Sequence, residues 1–281
     1  MSFSISQAIS ESFGIFKSRL GAMVAVQLVA IIATYALMGA FFLSALSGMG
    51  GLAALQGNPE AFAQIFAGMG FGFFLVYLVV LAISLVAQAA ICALCGDPRR
   101  PTIGEALTTG VRSLPALGGA FLLVIVGAIG IGILFALLMA GAAMGAQQPW
   151  LIFVLGLVAM VGAAYLMTKL SMVLPVVVLD EVRGPLMAIG RSWQLTRGNS
   201  LRLFGYFLLI GILMGVVYFA LVAALGGVGN SGGGGIAVAI VLGLLVLVYA
   251  LLAGIYWLAA VVAAHRQLGG PSTGAIEDTF A

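Results

Sequence analysis

Four features of this chain have residue types and spacings that could do chemistry: the pair Cys92 and Cys95, the glycine run Gly227 to Gly232, the lone histidine His265, and Lys169 inside an apolar run. A structural zinc site needs two more Cys or His ligands than Cys92-x-x-Cys95 supplies, and one histidine does not complete it. A thiol-redox pair works best at a helix N-terminus, where the dipole stabilises thiolate, whereas these cysteines fall near the C-terminal end of an apolar run. They read as small packing residues one turn apart. "GVGNSG" matches a dinucleotide fingerprint by letter, but it lies between two apolar runs without the strand, helix and ribose-binding acid that such a site requires. It reads as a flexible linker, and no cofactor, metal or catalytic residue is expected.

Lys169 is the most informative single residue. A charge deep in a membrane span costs about 3 kcal/mol, so it is paired, faces a polar cavity or snorkels to the surface. If the helix ends or kinks near Pro175, the ammonium is one or two turns from the membrane surface and its stem can reach it. If the helix continues to Asp180, the ammonium begins roughly 16 Å below that end and needs a partner. Gln27 and Gln88 within neighbouring spans are candidates, as are Glu11, Asp97, Asp180 and Glu181 from below. Snorkelling or structural pairing is the expected role, ahead of a substrate site.

The elements that must position these residues are membrane helices. The chain has 281 residues, of which 63% are hydrophobic and 7% charged, with a mean hydropathy of +1.26; soluble domains are about 25% charged. Six stretches, near 21 to 45, 68 to 95, 117 to 141, 150 to 173, 201 to 225 and 236 to 264, are apolar over the roughly 20 residues needed to span a bilayer as a helix. The expected fold is therefore an all-α integral membrane protein, a single domain over 1 to 281 with a tail from 265. Basic residues cluster before the first span, after the second, fourth and sixth, and nowhere in the loops 46 to 67, 142 to 149 and 226 to 235. The positive-inside rule then places both termini in the cytoplasm.

The charged loop 180 to 202 also has a pattern that recurs. Ala188-Ile189 corresponds to Ala106-Leu107 and Ala8-Ile9, and Ser192-Trp193 to Gly110-Val111 and Ser12-Phe13. Apolar residues at 5, 8, 9, 13 and 16 share a helical face. Pro101 and Pro185 stand where a helix tolerates the missing N-H. This predicts three repeats, about 4 to 95, 102 to 173 and 184 to 264, each a short amphipathic interfacial helix followed by a hairpin of two spans, all three in the same orientation.

Within that loop and the run before it, the order Lys169, Pro175, Glu181, Gly184, Ala188, Ser192, Trp193, Leu195, Thr196 and Gly198 resembles the signature of the glycerophosphoryl diester phosphodiesterase membrane-domain family. The resemblance is specific over about forty residues and loose elsewhere. It implies a stand-alone multi-pass relative in a bacterial inner membrane. In the named enzymes the diesterase chemistry belongs to a separate soluble barrel with histidines and clustered carboxylates, so the resemblance transfers no catalytic residue to this chain.

Basic residues along the membrane surface imply contact with membrane lipids, including anionic headgroups. Nucleic-acid binding is not expected from scattered charges and a net charge of +3. The pairs Gly68 with Gly72, Gly141 with Gly145 and Gly211 with Gly215 suit close helix contact, either within the chain or with a homo-oligomer or another membrane protein. The expected function is non-enzymatic, in envelope or membrane-lipid homeostasis. The alternative is a small transporter or lipid-translocating permease, which requires a polar cavity near Lys169, Gln27 and Gln88.

Overall fold

The computed structural model describes residues 3–48, 70–146, 149–229 and 235–269, and all the regular structure in these is helical. The helices are α1 (Ile5–Ser18), α2 (Leu20–Gly48), α3 (Gly70–Gly96), α4 (Ile103–Ala146), α5 (Pro149–Leu170), α6 (Val173–Val178), α7 (Pro185–Leu195), α8 (Ser200–Gly229) and α9 (Ile236–Gly269). Six of the described helices are long and apolar enough to cross a membrane. Glu60 and the end of the glycine run at 230 to 232 lie outside the described residues; Gly227 to Gly229 form the last turn of α8.

The buried core is concentrated at one end of the bundle. It comprises the C-terminal thirds of α3 and α9, from Ala87 to Gly96 and from Ile255 to His265, all of α6 beyond Leu174, and the first turns of α2 and α8. All the charged residues described lie at this end. Further along, the helices expose apolar side chains such as Ile32, Leu134, Val158, Phe219 and Leu244. Lipid is as apolar as these side chains, so exposing them to acyl chains costs little and no second core is needed there.

Local chemistry explains the breaks. A single residue, Arg19, separates α1 from α2, and its guanidinium donates to Pro101 O at 2.9 Å and Arg100 O at 3.4 Å. After α3, Asp97 Oδ1 accepts from Arg99 N, and Arg100 adopts φ +51° to turn the chain. Thr102 and Glu105 then form a capping box: Thr102 N donates to Glu105 Oε2 at 2.7 Å and Glu105 N to Thr102 Oγ1 at 3.3 Å. Between α5 and α6 the helix breaks at Ser171 and Met172. Pro175 stands in the first turn of α6, where its missing N-H toward Ser171 O leaves no helical bond unmade, so the break falls just before it.

Three expectations change. The amphipathic segment after Pro101 is not a separate helix but is continuous with the following span, because α4 runs unbroken from Ile103 through Pro115. In α1 the residues fully packed are Ala8, Ser12 and Ile15, while Phe13 is turned outward beneath Lys17, whose Nζ is 4.4 Å from the ring centroid. Ser12 can occupy the buried position because its hydroxyl bonds to Ile9 O at 2.8 Å and pairs with Tyr256 Oη at 3.1 Å. His265, finally, does not begin a tail: α9 continues to Gly269 and the imidazole is buried.

Candidate functional site around Lys169

The site forms where α5 ends and α7 crosses it. Ser171 Oγ and Thr168 Oγ1 turn back onto their own helix, donating to Thr168 O and Ala164 O. The carbonyl of Lys169, one of the unpaired acceptors of the last turn, receives a hydrogen bond at 2.6 Å from the fully buried Ser192 Oγ of α7. Thr196, also fully buried, donates to Ser192 O at 3.0 Å and closes α7, and Gly198 at φ +84° turns the chain into α8. Pro185, at the first position of α7, sits against Gly119 of α4, where an added Cβ would come within 3.0 Å of the ring.

This framework holds the Lys169 side chain at 3% exposure between two aromatic faces. Its ammonium is 5.3 Å from the Trp193 ring centroid and 5.5 Å from that of Tyr165. The two rings meet edge to face at 6.0 Å and 85°. A cation over two aromatic faces is stabilised by both quadrupoles, by about 2 kcal/mol where water is excluded. The arrangement answers the question raised by a charge within the span: Lys169 is paired, but with rings rather than with a carboxylate or amide.

The proposed polar partners lie elsewhere. Gln88 is exposed on α3 and Gln27 half-buried on α2, and neither bonds to Lys169 among the described residues. Glu181 is exposed in the left-handed turn that ends α6, at φ +51°. Asp180 faces His265 instead, with Nε2 3.3 Å from Oδ1, an electrostatic contact lacking the direction of a formed hydrogen bond; Arg191 Nε is 3.8 Å from its other oxygen. This cluster ties α9 to the segment between α6 and α7. Of the residues singled out from the sequence, then, the fold joins Lys169, Ser192 and Trp193, places Pro175 at the break that positions them, and leaves Gln27, Gln88 and Glu181 apart. Tyr165 was missed, although its place four residues before Lys169 puts both on one helical face.

Cys92 and Cys95 are both buried as packing residues, with Cys95 Sγ 3.2 Å from Met23 Sδ. Lys169 lines neither of two cavities found among the described residues. One, of about 420 Å³, lies between α5, α8 and α9 and is lined mainly by Met167, Leu170, Phe204, Phe207 and Trp257. The other, of about 560 Å³, lies at the charged end between α1, α3 and α9.

Replacing Ser192 by alanine removes the donor to Lys169 O without changing the backbone. The expected loss is about 1 kcal/mol, the range found for buried hydrogen bonds and for hydroxyl bonds between membrane helices. A lowered midpoint in thermal unfolding of detergent-solubilised protein checks it, and Ser192→Thr, which keeps the hydroxyl, recovers part of the loss.

No curated protein and no solved structure matches the chain. Residues 144–268, which contain Lys169, Ser192, Trp193 and His265, match the family model described as the membrane domain of glycerophosphoryl diester phosphodiesterase, and this match together with the six long apolar helices supports a multi-pass membrane protein.

Proposed function

We propose that the protein is a non-enzymatic component of a bacterial inner membrane that acts in envelope or membrane-lipid homeostasis through lipid contacts, with both termini cytoplasmic. The observation that carries this reading is the state of Lys169. A permease pathway wants its one intramembrane cation on a hydrated cavity, whereas here the ammonium is covered by Tyr165 and Trp193. The charged end of the bundle bears the basic residues that would meet anionic headgroups, and apolar helix surfaces meet the acyl chains.

A threefold plan underlies this surface. Ala8, Ala106 and Ala188 are all fully buried; Ser12, Gly110 and Ser192 are buried; Phe13, Val111 and Trp193, at 49%, 58% and 40% exposure, all turn outward. The amphipathic segments pack cyclically on the preceding second span: α1 on α9, the start of α4 on α3, and α7 on α6. The interfacial segments thus form a ring around the mutually touching ends of α3, α6 and α9. Such a ring presents three outward aromatic or aliphatic residues at the level of the headgroups.

The test compares the phospholipid composition of cells lacking the protein with that of wild-type cells and of cells producing Lys169→Ala. The expected result is an altered headgroup profile in the deletion strain and a partial alteration with Lys169→Ala. Profiles identical in all three strains would rule the reading out.

A further inference from the structure

The cavity between α1, α3 and α9 gathers opposite charges that form no ion pair with one another. Arg19, Arg100, Arg266, Glu11 and Asp97 all line it. Among the described residues the only ion pairs are those of Asp180, so these three cations and two anions share one cavity with none of them within 4.0 Å of an opposite charge. Unlike charges free to move in water would close on each other; here the backbone holds them apart.

The restraint is visible at each group. Arg19 is fixed by its bonds to Pro101 O and Arg100 O, and Arg266 by bonds from Nη2 to Cys95 O at 3.0 Å and Gly96 O at 3.3 Å. A guanidinium has five N-H donors, so each retains three after these bonds. Arg100 extends from a left-handed backbone position, and its guanidinium makes no hydrogen bond or ion pair among the described residues. Glu11 Oε1 accepts from Gln7 Nε2 at 2.9 Å and Asp97 Oδ1 from Arg99 N at 2.9 Å, which leaves the second oxygen of each carboxylate open.

Separated donors and acceptors of opposite charge fit a ligand with an anion at one end and a hydrogen-bonding cation at the other. The cavity lies where α1 meets the start of α2, with Ile15 and Leu94 in its wall, at the level where the chain passes into the apolar bundle. We propose that this cavity binds the phosphoethanolamine headgroup of a phospholipid, the phosphate against Arg19, Arg100 and Arg266 and the ammonium against Glu11 and Asp97. Guanidinium donors match phosphate oxygens in pairs. A primary ammonium has three N-H donors for the carboxylates, and a trimethylated one has none. The assignment rests on the lipid-contact reading above and gives it a headgroup.

The experiment uses the full chain purified in detergent, with bound lipid counted by native mass spectrometry against phosphatidylethanolamine, phosphatidylcholine and phosphatidylglycerol, and with free phosphoethanolamine as competitor. Wild-type protein is expected to prefer phosphatidylethanolamine over phosphatidylcholine by about tenfold, the effect of leaving buried polar partners unmatched. Glu11→Gln with Asp97→Asn keeps the shape and local bonding capacity of both side chains; it should abolish that preference while leaving phosphatidylglycerol bound at least as well, which also shows that the variant is folded. Arg100→Asn, well suited to φ +51°, should weaken phosphatidylethanolamine and phosphatidylglycerol alike. Equal binding of the ethanolamine and choline lipids by wild type, or a preference that survives the double variant, overturns the proposal. Displacement by free phosphoethanolamine at equal concentration overturns the lipid as its source. Because this assay reads purified protein and the lipid profile reads cells, failure of either is distinguishable from failure of the other.

Discussion

Gly110→Ala is expected to be the most damaging small substitution in the chain. A Cβ on Gly110 would lie 2.5 Å from the backbone oxygen of Val86 and 3.2 Å from its Cγ1, so α3 and α4 would have to move apart along their contact. A backbone atom cannot rotate away as a side-chain tip can. The C-terminal end of α3, fully buried from Ala89 to Cys92, would be displaced with it. Overpacking of this kind costs about 2 to 3 kcal/mol. Two controls separate this from a general glycine effect. At Gly96 the obstruction is the Leu179 side-chain tip, the end of a flexible side chain, so Gly96→Ala is expected to cost less. At Gly118, on the same helix as Gly110, nothing lies within 4 Å, and alanine there should be neutral or stabilising by up to about 1 kcal/mol. Thermal unfolding of the three variants in one detergent should give the order Gly118→Ala, Gly96→Ala, Gly110→Ala from most to least stable. If Gly110→Ala unfolds with Gly118→Ala, the close approach of α4 to α3 is wrong.

Trp193→Ala is expected to be nearly as costly, and for an electrostatic reason as much as a packing one. The substitution removes a ring that packs edge to face on Tyr165 and uncovers one side of a buried ammonium. Loss of apolar contact and cation-π attraction together amount to about 2 to 3 kcal/mol, discounted for the partial exposure of the indole. Lys169→Met, by contrast, should change stability by less than about 1 kcal/mol, since replacing a desolvated charge with an apolar side chain of similar length removes both the penalty and the attraction that offsets it. The double variant decides the matter. With no charge left to cover, Trp193→Ala in the Lys169→Met background should cost less than in wild type, by about 1 to 2 kcal/mol of coupling. Strict additivity in denaturant unfolding would mean that Lys169 gains nothing from the indole. If Lys169→Met is stable and folded yet changes the lipid profile of cells, the lysine serves the lipid role rather than the fold.

Much of the architecture could be read from residue types. The six spans follow from apolar length, and the break before α6 from Pro175, which a helix accommodates without losing a backbone bond only in its first turn. The correspondence of Ala8, Ala106 and Ala188 appears in letters, and their common burial follows from a requirement for small residues where helices touch. The corresponding prediction for α1 failed at Phe13 and Ser12, because helical periodicity identifies a face but does not say whether a hydroxyl with partners or an apolar ring with lipid available will occupy its centre. In a soluble protein the ring would be buried; beside a bilayer both choices are open. The second amphipathic segment likewise fused with α4 because Pro115 lies well inside a helix whose other residues keep their bonds.

The partner of Lys169 shows where sequence reasoning stopped. Its charge and depth required some compensation, but carboxylates and amides were the natural candidates, and their contact depends on which helices are neighbours. Tyr165 was within reach of a helical-spacing argument; Trp193 was not, since it depends on α7 folding back over the end of α5 through the bond from Ser192 to Lys169 O. His265 and the separated charges of Arg19, Arg100, Arg266, Glu11 and Asp97 come from three distant parts of the chain, and nothing in their spacing brings them together.

The sequence by itself determined the solvent of this protein, the number and length of its spans, and the residues that had to break or cap helices, because each of these follows from the transfer energy and backbone bonding of a local segment. Only the tertiary structure decided which charges are paired, which are covered by rings and which are left facing a cavity. Those outcomes depend on distances between segments far apart in the chain, and a charge in or beside a membrane is governed by whatever lies within a few ångströms of it.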